Sequence, residues 1–320
     1  MIHKTTRPLD PLSYDEFMTL VGQSDENLRL LSQVFNVDFV LRDNQLIADT
    51  PDELVVNQLQ RTLNSLLLLI RQGKTPDERD IIYLSHCVIH NQEEAYFKLN
   101  TRIIGRTTAN KPIYIKTLGQ QRLMDAMANY DLVFVSGPAG TGKTYLSVVY
   151  AVDLLKKGDV KRIVLTRPVV EAGESLGFLP GDLKEKVDPY LRPLYDGLND
   201  LLGNEQVERY IEKGIIEIAP LAYMRGRTME DAFVILDEAQ NTTSTQMLMV
   251  LTRMGFRTKL IINGDQTQID LKQPSGFTQA KDILKGVKDI AFVELTAMDI
   301  VRNPLVQLVI EAYSKKRDGS

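Results

Sequence analysis

The sequence predicts an α/β protein: a doubly wound, mostly parallel sheet flanked by helices and preceded by a small α+β unit. Two observations carry the prediction for the larger part. Beyond residue 112, short runs rich in Val, Ile, Leu and Phe alternate with stretches of helical periodicity. Those runs are continuously apolar, as strands buried on both faces must be. A third observation sets residues 1–104 apart: there, helical stripes surround a single strand–turn–strand pattern.

Taken in order, residues 14–34 place Leu28, Leu30, Leu31 and Val34 at helical spacing. Residues 37–49 read as a strand, a turn at Asp43-Asn44 and a second strand. Pro51 opens a helix from about Asp52 to Arg71, with Gly73 beyond its end. Leu54, Val55, Leu59, Leu63, Leu66, Leu67 and Ile70 form its expected buried stripe. A further helix follows Pro76 through Ile81, Ile82, Leu84 and Val88. Residues 98–112 are polar and weakly periodic and read as a linker, giving domains 1–104 and 105–320. The expected strands of the second are Leu132–Val135, Arg162–Thr166, Ile215–Ile218, Phe233–Leu236, Lys259–Ile262 and Phe292–Leu295. Helices fill 143–156, 183–202, 244–255, 279–286 and 304–314.

Composition bounds the function. With 320 residues, 43% hydrophobic and 25% charged, the chain is neither wholly disordered nor fibrous. A net charge of −4 excludes a globally basic nucleic-acid clamp and leaves a local basic groove open. Cys87 stands alone, so neither an intramolecular disulfide nor a cysteine-based zinc site is expected. The N-terminus lacks an apolar signal core, and the stretch Leu66–Ile70 falls far short of the ~20 residues a membrane span needs. A soluble, cytoplasmic protein is expected.

Gly137, Pro138, Ala139, Gly140, Thr141, Gly142, Lys143 and Thr144 match the phosphate-binding pattern G-x-x-x-x-G-K-S/T. The glycines let backbone N–H groups turn towards phosphate oxygens, and the helix beginning there aims its positive dipole end at them. Lys143 suits the β and γ phosphates, and the Thr144 hydroxyl suits Mg²⁺. The apolar run 233–236 ends in Asp237 and Glu238. Asp237 fits the Mg²⁺ shell and Glu238 a general base for the attacking water. The run 260–262 ends in Asn263-Gly264-Asp265-Gln266-Thr267-Gln268, where a glutamine can touch the γ-phosphate or the water; such a segment also suits a plain turn.

Together these motifs resemble the PhoH-like family of P-loop ATPases, relatives of the superfamily 1 helicase core. TLGQ (117–120) resembles an adenine-reading Q motif, and GPAGTGKT (137–144) is Walker A. TRPVVEAGESLGFLPGDLKEKVDPYLRP (166–193) resembles the family's long motif, RGRTMEDAFVILDEAQNTT (225–243) holds Walker B, and LTRMGFRTKLIINGDQTQIDL (251–271) holds motif III. DIVRN (299–303) resembles the last motif, with Asn303 where the family usually carries His. The likeness spans roughly residues 112–314. It implies a RecA-like core that binds ATP and Mg²⁺ and couples hydrolysis to RNA binding or remodelling, as an RNA helicase working with an endoribonuclease. It implies that Gln120 reads adenine, Gln268 senses hydrolysis and Arg302 is the arginine finger. From the residues alone, Gln120 also suits a helix start facing water, and Arg302 an ion pair with Asp299. The first unit fits relatives with a KH-like region, yet residues 1–104 hold no G-x-x-G, so the KH backbone clamp for RNA is absent.

One P-loop implies one core, whereas a superfamily 1 helicase takes its finger from a second. A finger supplied by a neighbouring copy predicts a head-to-tail homo-oligomeric ring, with a hexamer favoured by analogy. The basic candidates for RNA are Arg167, Lys184, Lys186, Arg192, Arg225, Arg227 and Lys272, with Tyr190, Tyr195 and Tyr223 available to stack on bases or to pack. His86 and His90 are four apart but lack a third ligand, so packing is the expected role. A competing reading is an ATP-dependent switch or scaffold for a protein partner without RNA unwinding. A small-molecule kinase fits less well, because the paired acids suit water activation.

Overall fold

The computed structural model describes residues 4–99, 103–168, 183–271 and 273–301. They fall into two compact units, 4–98 and 99–301. The helix expected over 304–314 lies outside the described residues. No helix among them is long and apolar enough to cross a membrane.

The first unit runs β1 (Thr5–Pro8), α1 (Tyr14–Val21), α2 (Glu26–Phe35), β2 (Phe39–Arg42), β3 (Gln45–Ala48), α3 (Glu53–Arg71), α4 (Glu78–Ile89) and α5 (Glu93–Leu99). The strands form an antiparallel sheet in the order β1-β3-β2. The β2–β3 turn falls on Asp43 and Asn44 as expected, at φ 50° and 56°. Two left-handed residues make a turn whose twist matches the flanking strands. The helical stretch expected over 14–34 is two helices instead. Gly22 sits at φ 74°, and a Cβ there would stand 2.8 Å from the Asn27 side chain. The Asp52 carboxylate caps α3 by accepting from Leu54 N and Val55 N. The buried face of α3 holds Val56, Leu59, Leu63, Leu66, Leu67 and Leu69. Leu54, expected in that stripe, is 67% exposed, because helical periodicity turns it to the opposite side. Val55 and Ile70, in the first and last turns, are only half-buried.

The second unit runs β4 (Ile103–Arg106), β5 (Pro112–Tyr114), α6 (Leu118–Asn129), β6 (Leu132–Ser136), α7 (Lys143–Lys157), β7 (Arg162–Arg167), α8 (Leu183–Leu202), α9 (Asn204–Glu212), β8 (Ile216–Pro220), β9 (Ala232–Leu236), α10 (Ser244–Leu251), β10 (Lys259–Gly264), α11 (Gly276–Leu284) and β11 (Ile290–Glu294). Each of the six expected apolar runs is a strand of one parallel sheet, in the order β11-β6-β10-β9-β7-β8. Phe134, Val164, Val234, Leu236, Leu260 and Ile262 face one way and pack with Met247 and Val250 of α10 and Phe277 of α11. Their neighbours Val133, Ile163, Phe233 and Ile261 are fully buried on the other face, where Tyr150 of α7 meets Phe233 edge-on at 5.8 Å.

Two expectations are corrected here. The linker read over 98–112 contains β4, which pairs antiparallel with β5. Ile104 is buried, and Gly105 lies so close to α7 that a Cβ would stand 3.0 Å from Val149. The polar residues that suggested a linker form the tip, with Asn110 in the left-handed region. Helix α10 stops at Leu251 rather than 255, because Arg253 O and Gly255 N turn to bond Met229. The strand order has one consequence for function. β10 lies between β6 and β9, so the carboxyl ends of these three strands are adjacent, at the edge where open α/β sheets bind ligands.

Candidate functional site

The loop after β6 is the G-x-x-x-x-G-K-S/T segment. Gly137 has no room for a side chain: a Cβ would stand 2.7 Å from the Leu295 carbonyl oxygen. Gly142 sits at φ 86° and caps α7. Thr141 is fully buried, and its hydroxyl donates to Pro138 O at 2.9 Å, which stiffens the loop. Lys143 Nζ donates to Gly137 O at 2.6 Å and to Pro138 O at 2.9 Å. The ammonium thus lies across the loop, on carbonyls that an incoming phosphate can replace as its partners.

Gln120 stands in the first turn of α6, only 4% exposed. Its Oε1 accepts from Lys116 N at 2.9 Å and its Nε2 donates to Thr141 O at 3.1 Å. It therefore faces the P-loop and not water. The chain after β11 braces the same region. Leu295 N donates to Ser136 O and Val301 N to Gly140 O, both near 2.9 Å (2.8 and 2.9 Å). Asp299 is buried and accepts from Gly119 N at 3.1 Å and Thr296 N at 2.9 Å. Arg302 lies outside the described residues.

At the tip of β9, Asp237 is 5% exposed and accepts from the Thr144 hydroxyl at 2.6 Å. Burial pushes its carboxyl up from the usual range, opposed by the Thr144 hydrogen bond and reinforced by the neighbouring Glu238 charge. A buried carboxylate beside a hydroxyl is an oxygen donor set for a hard cation, so Thr144 and Asp237 fit Mg²⁺. Glu238 takes a left-handed conformation (φ 52°), and each of its oxygens is held. Oε1 accepts from Arg167 Nη2 at 2.7 Å, and Oε2 accepts from Gln240 Nε2 at 2.5 Å.

Gln240 is the member that sequence reasoning missed. It is 1% exposed. Besides holding Glu238, its Nε2 donates to Gln268 O at 3.2 Å, and its Oε1 accepts from Asp265 N at 2.9 Å. One amide thereby ties the tip of β9 to the turn after β10. Asp265 is itself buried; its Oδ1 accepts from Thr267, while its Oδ2 finds no partner among the described residues. The available signal was the amide two residues after Glu238, a polar group at a strand end that leads into a buried turn. Lys143, Thr144, Asp237, Glu238, Asp265 and Gln268 all line one cavity of about 270 Å³.

The residues expected along an RNA path separate. Arg167 pairs with Glu238 inside the site. Arg227 donates to both oxygens of Glu217, at 2.7 Å for Nη2–Oε2, and holds that carboxyl below its usual range. Arg192 and Arg225 are exposed, and Tyr223 is 50% exposed. Lys272 lies outside the described residues. His90 Nδ1 lies 2.8 Å from His86 O, and no group of metal-binding side chains forms among the described residues.

The family model described as PhoH-like protein matches residues 112–314. A PhoH-like protein of Bacillus subtilis is 53% identical over 304 residues, covering 94% of this chain and 95% of that protein. A PhoH-like protein of Synechocystis is 42% identical over 319 residues, covering 99% and 97% respectively. Among solved structures, Bacteroides Pif1 bound to ssDNA is 20% identical with a TM-score of 0.28, covering 61% of this chain and 45% of that one. A likeness that distant supports no reading of the site.

Proposed function

The chain belongs to the PhoH-like family, and from that premise we propose that it is a Mg²⁺-dependent ATPase whose turnover is coupled to RNA binding or remodelling. The observation that carries the ATPase reading is the convergence of Lys143, Thr144, Asp237, Glu238 and Gln268 on one cavity. Lys143 exchanges its two loop carbonyls for phosphate oxygens. Thr144 and Asp237 would hold the Mg²⁺, which when bound would draw charge from the phosphates. Glu238 accepts a proton from water while the water oxygen bonds the γ-phosphorus. The bond to the bridging oxygen breaks, leaving ADP and phosphate. Gln268 responds to the γ-phosphate, and Gln240 relays its position to Glu238. Gln120 reads adenine by releasing one of its two backbone partners, which links base recognition to the P-loop at Thr141.

The RNA reading is supported by the family and by the exposed Arg192, Arg225 and Tyr223. Arg302 acts as the arginine finger of a neighbouring copy in a homo-oligomeric ring, with a hexamer favoured, and an endoribonuclease is the partner enzyme. The test is phosphate release with Mg-ATP, with and without single-stranded RNAs and DNAs, on wild type and Glu238→Gln. Stimulation by RNA that vanishes in Glu238→Gln supports the reading. Glu238-dependent turnover indifferent to every nucleic acid overturns its RNA half and favours a switch for a protein partner.

A further inference from the structure

Asp265 is a buried acid that the hydrolytic steps leave unused. It directly follows β10, the strand between β6 and β9, and is 4% exposed. Its carboxyl is held from one side. Oδ1 accepts from Thr267 N at 2.9 Å and from the Thr267 hydroxyl at 2.6 Å. The backbone N of Asp265 donates to Gln240 Oε1 at 2.9 Å, which fixes the start of the turn. Oδ2 is buried as well, and among the described residues nothing donates to it. An acceptor kept from water without a donor costs free energy, so a fold keeps one where a ligand supplies the donor. Asp265 lines the phosphate cavity together with Thr144 and Asp237, so the occupant of that cavity can supply it.

The chemistry of that donor is narrow. Phosphate oxygens accept hydrogen bonds and offer Oδ2 nothing. The Lys143 ammonium sits on Gly137 O and Pro138 O and is the partner of the phosphates. Mg²⁺ gives up its waters reluctantly and keeps several of them when it is held by few protein oxygens. A water on a divalent cation is polarised and is a strong donor. We infer that Asp265 is an outer support of the metal, its Oδ2 accepting a hydrogen bond from a water bound to the Mg²⁺ at Thr144 and Asp237. The inference rests on the reading of this cavity as a Mg²⁺–nucleotide site. It gives the turn after β10 a share in metal binding, beside the response of Gln268 to the γ-phosphate.

The test follows metal rather than turnover. Mn²⁺ stands in for Mg²⁺, and its binding to the full chain at saturating ADP is read from the paramagnetic resonance signal of the free ion. In Asp265→Asn the Thr267 N–H keeps the amide oxygen at the Oδ1 position, so an NH₂ group stands where Oδ2 stood. That variant should weaken Mn²⁺ binding about tenfold or more, as loss of an outer partner of a metal site does. Its ADP affinity in EDTA should equal that of wild type, and its metal-free melting temperature should not fall, because no bond to Oδ2 is lost. Thr267→Val removes one donor from Oδ1 and leaves Oδ2 in place, so its Mn²⁺ affinity should stay that of wild type. Asp265→Ser, which deletes Oδ2, enters the same titration if the asparagine variant does not fold. Unchanged Mn²⁺ affinity in Asp265→Asn would overturn the inference. So would an equal loss of ADP affinity in EDTA, which would make the residue a general support of the cavity. A wild type that binds ADP but takes up no Mn²⁺ would instead remove the metal reading beneath it.

Discussion

At the amino ends of the parallel strands, Asp231 accepts from Arg257 and from Lys161, the latter at 3.0 Å, and Lys259 pairs with Asp131 at 3.2 Å. At the carboxyl ends, Asp237 is buried against a hydroxyl, and among the described residues neither Asp265 Oδ2 nor Thr166 Oγ1 near the tip of β7 finds a partner. Both edges belong to one sheet and both carry carboxylates. At the amino edge Asp231 and Asp131 meet opposite charges near water, where such pairs contribute little. At the carboxyl edge, Asp237 and Asp265 sit in low dielectric with too few donors, which a fold tolerates where a ligand completes the set. Incomplete compensation, and not charge itself, distinguishes the working edge.

The sharpest way to break that contrast is a lysine at each edge. Lys143→Ala should abolish nucleotide binding and turnover, measured with a fluorescent ATP analogue and by phosphate release, whereas Lys161→Ala should leave both intact. Next in size, Glu238→Gln should keep ATP binding and lose about a hundredfold or more of kcat, as expected for removal of a general base. Arg302→Ala should keep affinity and lose rate, and mixing it with Glu238→Gln subunits should restore some turnover through a finger acting between copies. Recovery absent from stable mixed rings would place that arginine within its own subunit. Gly137→Ala should weaken ATP binding and lower the melting temperature, because its Cβ would meet Leu295 backbone at 2.7 Å.

The smallest effect belongs to Asp231. Arg257 first, then Lys161, hold its carboxyl well below the usual range. Its stabilisation is therefore complete above the unfolded carboxylate value of about 3.9 and is lost as pH falls below it. Thermal melts of Asp231→Asn should show a small deficit at neutral pH that closes in acid, with turnover unchanged.

The same contrast explains what the sequence disclosed. The P-loop and the Asp237-Glu238 tip were legible because their chemistry is contained in a few adjacent residues after an apolar run. Six strands were legible because burial on both faces writes itself as continuous apolarity. Gln240 was not, since its partners Asp265 and Gln268 are distant in sequence and meet it only through the β9–β10 pairing. Arg167 reads as one basic residue among many until β7 and β9 lie side by side. Hairpin β4–β5 was hidden by its polar tip, and Leu54 was misplaced because an apolar residue beside a cap looks like the start of a stripe.

The brace between Leu295 and Val301 sets the limit for dissecting this protein. A fragment ending with the last strand would retain all six strands and every residue of the phosphate cavity. It would still lose the amide that holds Gly140 and the carboxylate that holds Gly119. Gln120, which spans Lys116 and Thr141, would then be left to tie the start of α6 to the P-loop. The shortest faithful version of the second unit therefore extends through Val301, past the end of its last strand at Glu294.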